Sequence, residues 1–164
     1  MSKLLATWFY VGLLSPAPGT LGSLAAIPFA ILLHAVGGFI ALLTAVLVVF
    51  FIGWWATAEV THKQLDHDPG MVVIDEVVGQ WITLMPLSLV LWWHGSAVTI
   101  LPWQGLIAGF LLFRLFDILK PWPVSWADRK ATPFGVMFDD VLAGLMAACV
   151  LTFAGYLAHG GFGG

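Results

Sequence analysis

Apolar residues run through this chain in blocks too long for a soluble fold, and the charged residues are confined to the gaps between them. No Asp, Glu, Lys or Arg occurs from Leu4 to Ala58, from Val77 to Phe113, or after Asp140, and these blocks hold 55, 37 and 24 residues. A helix needs roughly 20 apolar residues to cross about 30 Å of hydrocarbon. The first two blocks therefore hold two spans each and the last holds one. Breaks fall where this requires them, at Gly37-Gly38 in the first block and at His94-Gly95-Ser96 in the second. The pattern predicts spans near 21–36, 39–58, 77–93, 98–118 and 139–158, the first short and carrying Pro28. Leu4–Leu14 is too short to cross and predicts an interfacial helix over 4–14. No small-residue cleavage site follows it, so it does not read as a cleaved signal. The expected fold class is all-α: a polytopic transmembrane helical bundle of four to five spans, in one integral-membrane domain over 1–164.

Composition agrees with the pattern. The chain is 60% hydrophobic and 9% charged, against about 25% charged in a soluble domain, and nothing in it suggests a nucleic-acid partner. If the spans alternate, segments 1–20, 59–76 and 119–138 share one side of the bilayer. All six basic residues (Lys3, Lys63, Arg114, Lys120, Arg129 and Lys130) sit on or next to that side, which the positive-inside rule makes cytoplasmic. Trp92, Trp93 and Trp103 suit the far interface, and Trp122 and Trp126 the near one. The single Cys149 has no disulfide partner and reads as packing within the last span.

The nine acids lie on the same side: Glu59, Asp66, Asp68, Asp75, Glu76, Asp117, Asp128, Asp139 and Asp140. Two pairs, Asp75-Glu76 and Asp139-Asp140, each stand where an apolar helix is predicted to begin. Helix capping explains one acid in each pair well and two less well, and two such pairs in one small bundle favour a shared site. Arg114 and Asp117 are three apart and share a helix face, with Lys120 three further on before Pro121. Spacing alone would allow an intrahelical ion pair and a snorkelling lysine, yet charges near a span's end turn toward protein or water. Arg129 and Lys130 read as solvated loop. His62 and His67 lie in the loop that carries Asp66 and Asp68. Clustered carboxylates without Cys, and with few His, suit a hard cation such as Mg²⁺ or Mn²⁺. Nine acids against six bases repel anions unless a cation intervenes, and a cation so held attracts phosphate. The residues thus point to metal-assisted phosphoryl chemistry on a lipid headgroup, with the catalytic face at the cytoplasmic membrane edge.

One polar interruption remains, Ser15-Pro-Ala-Pro-Gly-Thr-Leu-Gly-Ser23. It reads as a turn followed by a helix start, with Thr20 or Ser23 as the cap. It lacks the G-K-[ST] ending of a Walker loop. Free backbone N–H groups and hydroxyls at a helix start also hold anions, so Ser15, Thr20 and Ser23 are expected to line the headgroup pocket.

Together these blocks resemble the phosphatidylglycerophosphatase A family, bacterial membrane phosphatases of phospholipid synthesis. The resemblance runs through Ser15–Ser23, Asp68-Pro-Gly-Met-Val-Val-Ile-Asp75-Glu76-Val-Val-Gly79-Gln-Trp-Ile-Thr83, Phe113-Arg114-Leu-Phe-Asp117-Ile-Leu-Lys120-Pro121-Trp-Pro123, Asp128-Arg129 and Gly135-Val-Met-Phe-Asp139-Asp140-Val-Leu-Ala-Gly144. The blocks keep the family's order and cover about residues 12 to 145. One departure stands out: Thr132-Pro133-Phe134 precedes Gly135 where a Gly-rich turn is expected. The resemblance implies Mg²⁺-dependent hydrolysis of phosphatidylglycerophosphate to phosphatidylglycerol and phosphate, by a multi-pass protein of the bacterial inner membrane. On that reading Asp75, Glu76, Asp139 and Asp140 are the candidate metal ligands, joined by Asp117, Asp68 and Asp128. The catalytic set is Asp75, Glu76, Asp117, Asp139 and Asp140, while Arg114 and Lys120 hold phosphate oxygens. No D-x-D-x-T signature of the soluble aspartyl phosphatases is present, which favours direct attack by water. The alternatives are a divalent-cation or proton-coupled transporter, or a phosphatase of another membrane lipid phosphate. A transporter should place acids near the midplane and carry inverted repeats, and neither feature appears. The P-S-G-H and P-G-x-S-R-S blocks of lipid-diphosphate phosphatases are also missing. No feature of the sequence sets an oligomeric state.

Overall fold

The computed structural model describes residues 1–62, 69–95 and 101–158. Among the described residues every regular element is helical: α1 (Ser2–Ala6), a 3-10 turn (Val11–Leu13), α2 (Pro18–Thr61), α3 (Ile74–Trp93), α4 (Trp103–Leu119), α5 (Val124–Asp128) and α6 (Pro133–Ala158). Three of these, α2, α3 and α6, are long and apolar enough to cross a membrane, against the four to five spans expected. At 17 residues α4 falls a little short of the roughly 20 that a span takes.

The count of three conceals a fold within α2. Its 44 residues lose helical geometry at Gly37 and Gly38, the latter at φ 60° and ψ −149°. Gly22 lies against Val73 and Gly53 against Ile74, so both ends of α2 meet the start of α3, while Gly38 meets Trp92 at the far end of α3. α2 is therefore a hairpin whose halves, 18–36 and 39–61, run antiparallel. Only glycine suits the bend: the left-handed backbone disfavours a side chain, and a Cβ on Gly38 would stand 2.5 Å from the Trp92 ring. The break lies where the sequence places it.

The other directions follow from the layers each helix touches. The first half of α2 runs parallel to α3: Trp81 Nε1 donates to the Ala26 carbonyl at 2.8 Å, and His34 Nδ1 pairs with Ser88 Oγ at 2.7 Å. α4 runs against α3, with Gly105 on Leu87, Gly109 on Leu84 and Phe113 on Gly79. α6 runs with α3, packing Gly144 on Gly79. Central α3 is the most enclosed element, buried from Ile74 to Leu84 except at Glu76. Outward faces carry Leu32, Phe51, Leu111 and Phe153, as suits a bundle whose solvent is lipid.

Two expectations change. The helix expected over 4–14 stops at Ala6, because Trp8, Phe9 and Tyr10 all take positive φ. Thr7 Oγ1 donates to the Lys3 carbonyl and accepts the Tyr10 N–H, closing the helix, and Trp8 turns edge-on to Trp81 and Phe29. The last helix begins at Pro133 and not at 139. Thr132 Oγ1 accepts the Gly135 N–H at 3.0 Å, so the departure from the family pattern is a Thr-Pro helix start. Part of the expected span 98–118 lies outside the described residues. Cys149 faces outward and packs no core.

Candidate functional site

Because the helices alternate, the starts of α2, α3 and α6 and the ends of α4 and of α2's second half gather at one end of the bundle. Every charged residue among those described lies there. A cleft of about 300 Å³ opens at this end between 17–20, the 70–72 loop and the ends of α3, α4 and α6.

The acidic pairs reach it from two helices. Asp75 and Glu76 occupy the first turn of α3. Asp139 and Asp140 lie almost two turns inside α6, so they cap nothing. Close backbone approach sets the pairs side by side: a Cβ on Gly144 would stand 2.5 Å from the Gly79 carbonyl oxygen. Thr83 Oγ1 lies 3.0 Å from the Gly79 carbonyl and 3.3 Å from that of Gly144. One carboxylate oxygen each from Asp75, Glu76 and Asp140 then falls within 4.8 Å of the others. The donor set is all oxygen, and Glu76 Oε2 is buried without a hydrogen-bond partner. Three carboxylates so close repel one another unless a cation intervenes, and this set fits a hard divalent ion.

Asp139 turns away from that trio. Its Oδ2 accepts from Lys120 Nζ at 2.8 Å and its Oδ1 from the Asp140 N–H at 3.0 Å. Lys120 ends α4 in the left-handed region at φ 44°, which sends its side chain across to α6 and, at its other contact, to Asp128. Burial acts to lower the Lys120 pKa, but the hydrogen bonds to Asp128 and Asp139 outweigh it and raise it above the usual lysine range. Arg114 pairs with Asp117 in the cleft wall, and its Nε is buried without a partner. Gly19 closes the opposite wall; a Cβ there would stand 2.3 Å from Glu76 Oε1 and 3.1 Å from Arg114 Nη1.

The expected residues thus divide. Asp75, Glu76, Asp117, Asp139, Asp140, Arg114, Lys120 and Thr20 line the cleft. Asp128 stands outside it as the exposed partner of Lys120. Ser15 and Ser23 also lie outside the lining: Ser15 Oγ accepts the Ala17 N–H, and fully buried Ser23 donates to the Gly19 carbonyl. The helix cap is Ala17, without a side-chain bond, so neither Thr20 nor Ser23 caps. Asp66, His67 and Asp68 lie outside the described residues. Sequence reasoning missed Gly19, whose only signal is its place in the Pro-Gly-Thr turn. Sequence reasoning also passed over Gln80, one helical turn beyond Glu76, which is fully buried with both amide atoms unpartnered.

Residues 4–155 match the family described as Phosphatidylglycerophosphatase A. The chain belongs to that family. It is 39% identical over 154 residues to the phosphatidylglycerophosphatase A of Escherichia coli (strain K12), a match covering 93% of this chain and 83% of the relative. Identity to the Haemophilus influenzae protein of the same name is 40% over 149 residues, 90% of this chain and 85% of the relative. A Bacteroides thetaiotaomicron protein provisionally named a phosphatidylinositol-3-phosphatase is 40% identical over 155 residues, 92% of this chain and 91% of its own. No solved structure matches the chain. In this member of the phosphatidylglycerophosphatase A family, α2, α3, α4 and α6 all contribute residues to the cleft.

Proposed function

We propose that the chain hydrolyses the phosphomonoester of phosphatidylglycerophosphate, releasing phosphate and leaving phosphatidylglycerol in the bilayer, in a Mg²⁺-dependent reaction at the cytoplasmic edge of the bacterial inner membrane. The observation that carries this reading is the carboxylate trio beside Arg114, in a cleft at the charged end of an otherwise apolar bundle. Family membership supports the substrate class. Asp75, Glu76 and Asp140 would hold the divalent cation, which supplies positive charge to the phosphoryl oxygens. Arg114 exchanges its bond to Asp117 for phosphate oxygens, and the free N–H groups of Gly19 and Thr20 at the α2 start contribute two neutral donors. Lys120, paired on both sides, holds Asp139 and the α4–α6 corner in place and lends long-range positive charge. Water adds to phosphorus, the bond to the glycerol oxygen breaks, and that oxygen takes up a proton.

The five alternating helical segments, counting α2 as two, support five crossings. The basic residues at the cleft end favour a cytoplasmic site. The decisive experiment measures phosphate release from phosphatidylglycerophosphate by purified protein in detergent micelles. EDTA should abolish it and Mg²⁺ restore it; activity untouched by EDTA sinks the cation assignment, and no release from any lipid phosphate sinks the enzyme. The Bacteroides relative's name favours one further arm, a phosphatidylinositol phosphate as competing substrate.

A further inference from the structure

Gln80 has no exposed surface, yet neither its Oε1 nor its Nε2 has a hydrogen-bond partner. An unpaired amide is costly to bury, and an apolar side chain of equal size would avoid that cost. Glu76 Oε2 and Arg114 Nε are buried and unpartnered as well. The helix register draws these groups together. Gln80 follows Glu76 by four residues on α3 and so stacks on the same face, one turn deeper in the bundle. Phe113, next to Arg114 on α4, packs on Gly79, next to Gln80 on α3, and Arg114 Nη1 and Glu76 Oε1 both crowd the Cβ position of Gly19. The chemistry is complementary too: a carboxylate oxygen accepts, a guanidinium N–H donates, and one amide does both, from opposite corners.

We infer that Gln80 is a positioning residue that ties Glu76 to Arg114. Its Nε2 donates to Glu76 Oε2 and its Oε1 accepts from Arg114 Nε, directly or through one water, when the site is loaded. A ligand carboxylate gives one oxygen to the cation, and a hydrogen bond to the other oxygen fixes its orientation. The same amide holds the guanidinium plane toward the cleft. The Glu76 half rests on the proposed cation reading; the Arg114 half does not.

The test is Gln80→Met, which keeps volume and removes both hydrogen-bonding atoms. Two readouts separate positioning from packing: the shift in thermal unfolding midpoint that Mg²⁺ causes without substrate, and the KM and half-saturating Mg²⁺ of phosphate release. Q80M should unfold in EDTA at or above the wild-type midpoint, lose most of the Mg²⁺-induced shift, need about tenfold more Mg²⁺, and show a raised KM. A Q80M protein with the wild-type Mg²⁺ shift and KM overturns the inference. So does one that merely unfolds earlier in EDTA while keeping those responses. If EDTA leaves wild-type phosphate release untouched, the cation reading fails, and KM alone decides: unchanged in Q80M it overturns the inference, raised it sustains the Arg114 half.

Discussion

Asp139 and Asp140 are neighbours of the same chemical type, yet a helix turns successive side chains by roughly 100°, and that angle gives them different partners. Asp140 faces Asp75 and Glu76, while Asp139 faces Lys120. Asparagine at each position should therefore fail differently. Asp140→Asn is expected to lower kcat at least 100-fold and raise the Mg²⁺ requirement, since it removes a proposed ligand. Asp139→Asn should leave half-saturating Mg²⁺ near wild type but lower the unfolding midpoint. Its cost falls between the ~1 kcal/mol of an exposed ion pair and the ~3–5 kcal/mol of a buried pair losing one partner. A Mg²⁺ titration of both variants checks the split, and equal titration curves would contradict it. At this scale the sequence was only partly legible. Residue type and spacing marked both acidic pairs but could not say which member points where. The same blindness affected Ser15 and Ser23, whose hydroxyls satisfy nearby backbone groups, whereas Thr20, between them, reaches the cleft.

Two glycines make separable predictions about the helices. Gly144 brings α6 against the backbone of α3, one turn beyond Asp140. Gly144→Ala puts a methyl group into the Gly79 carbonyl and must spread the two helices that carry the acidic pairs. Misplacement of a catalytic group by about 1 Å can cost on the order of 100-fold in rate, so kcat should fall on that scale, with a smaller fall in stability. Gly38→Ala acts at the opposite end, where about 19 residues of helix, roughly 28 Å, separate it from the cleft. It should lower the unfolding midpoint through backbone strain and the Trp92 contact, with KM and kcat near wild type in the remaining folded protein. Parallel kinetics and thermal unfolding of the two variants give the comparison. The Gly37-Gly38 break could be read from the sequence because glycine pairs announce themselves inside an apolar run. The start of α6 could not, because 133–138 is less apolar than 141–158 and the capping role of Thr132 shows only in its bond to Gly135. The end of α1 was hidden for another reason: Trp8, Phe9 and Tyr10 carry no turn signature, and tertiary contacts of Trp8 impose the left-handed backbone.

For the whole molecule, alternation decides what shares a side. The cleft, α1, α5 and the basic residues among those described share one end, while the α2 bend and the α3 end share the other. The apolar blocks made this arrangement legible, because a block near twice the span length must return, and a return fixes sides. The proposal that the cleft end is cytoplasmic rests on charge: among the described residues Lys3, Arg114, Lys120, Arg129 and Lys130 lie at that end and none at the other. Cysteine labelling tests this directly, since the single native thiol can be removed as Cys149→Ala on an outward face. In that background, Trp93→Cys at a 76% exposed position should react with a membrane-impermeant maleimide on cells whose outer membrane has been permeabilised. Arg129→Cys, exposed on the loop beyond α5, should react only in inverted inner-membrane vesicles. The reverse pattern would put the cleft outside and overturn the cytoplasmic assignment while leaving the chemistry intact. Labelling of both positions from one side would mean an even number of crossings between them, contradicting α4 as a span.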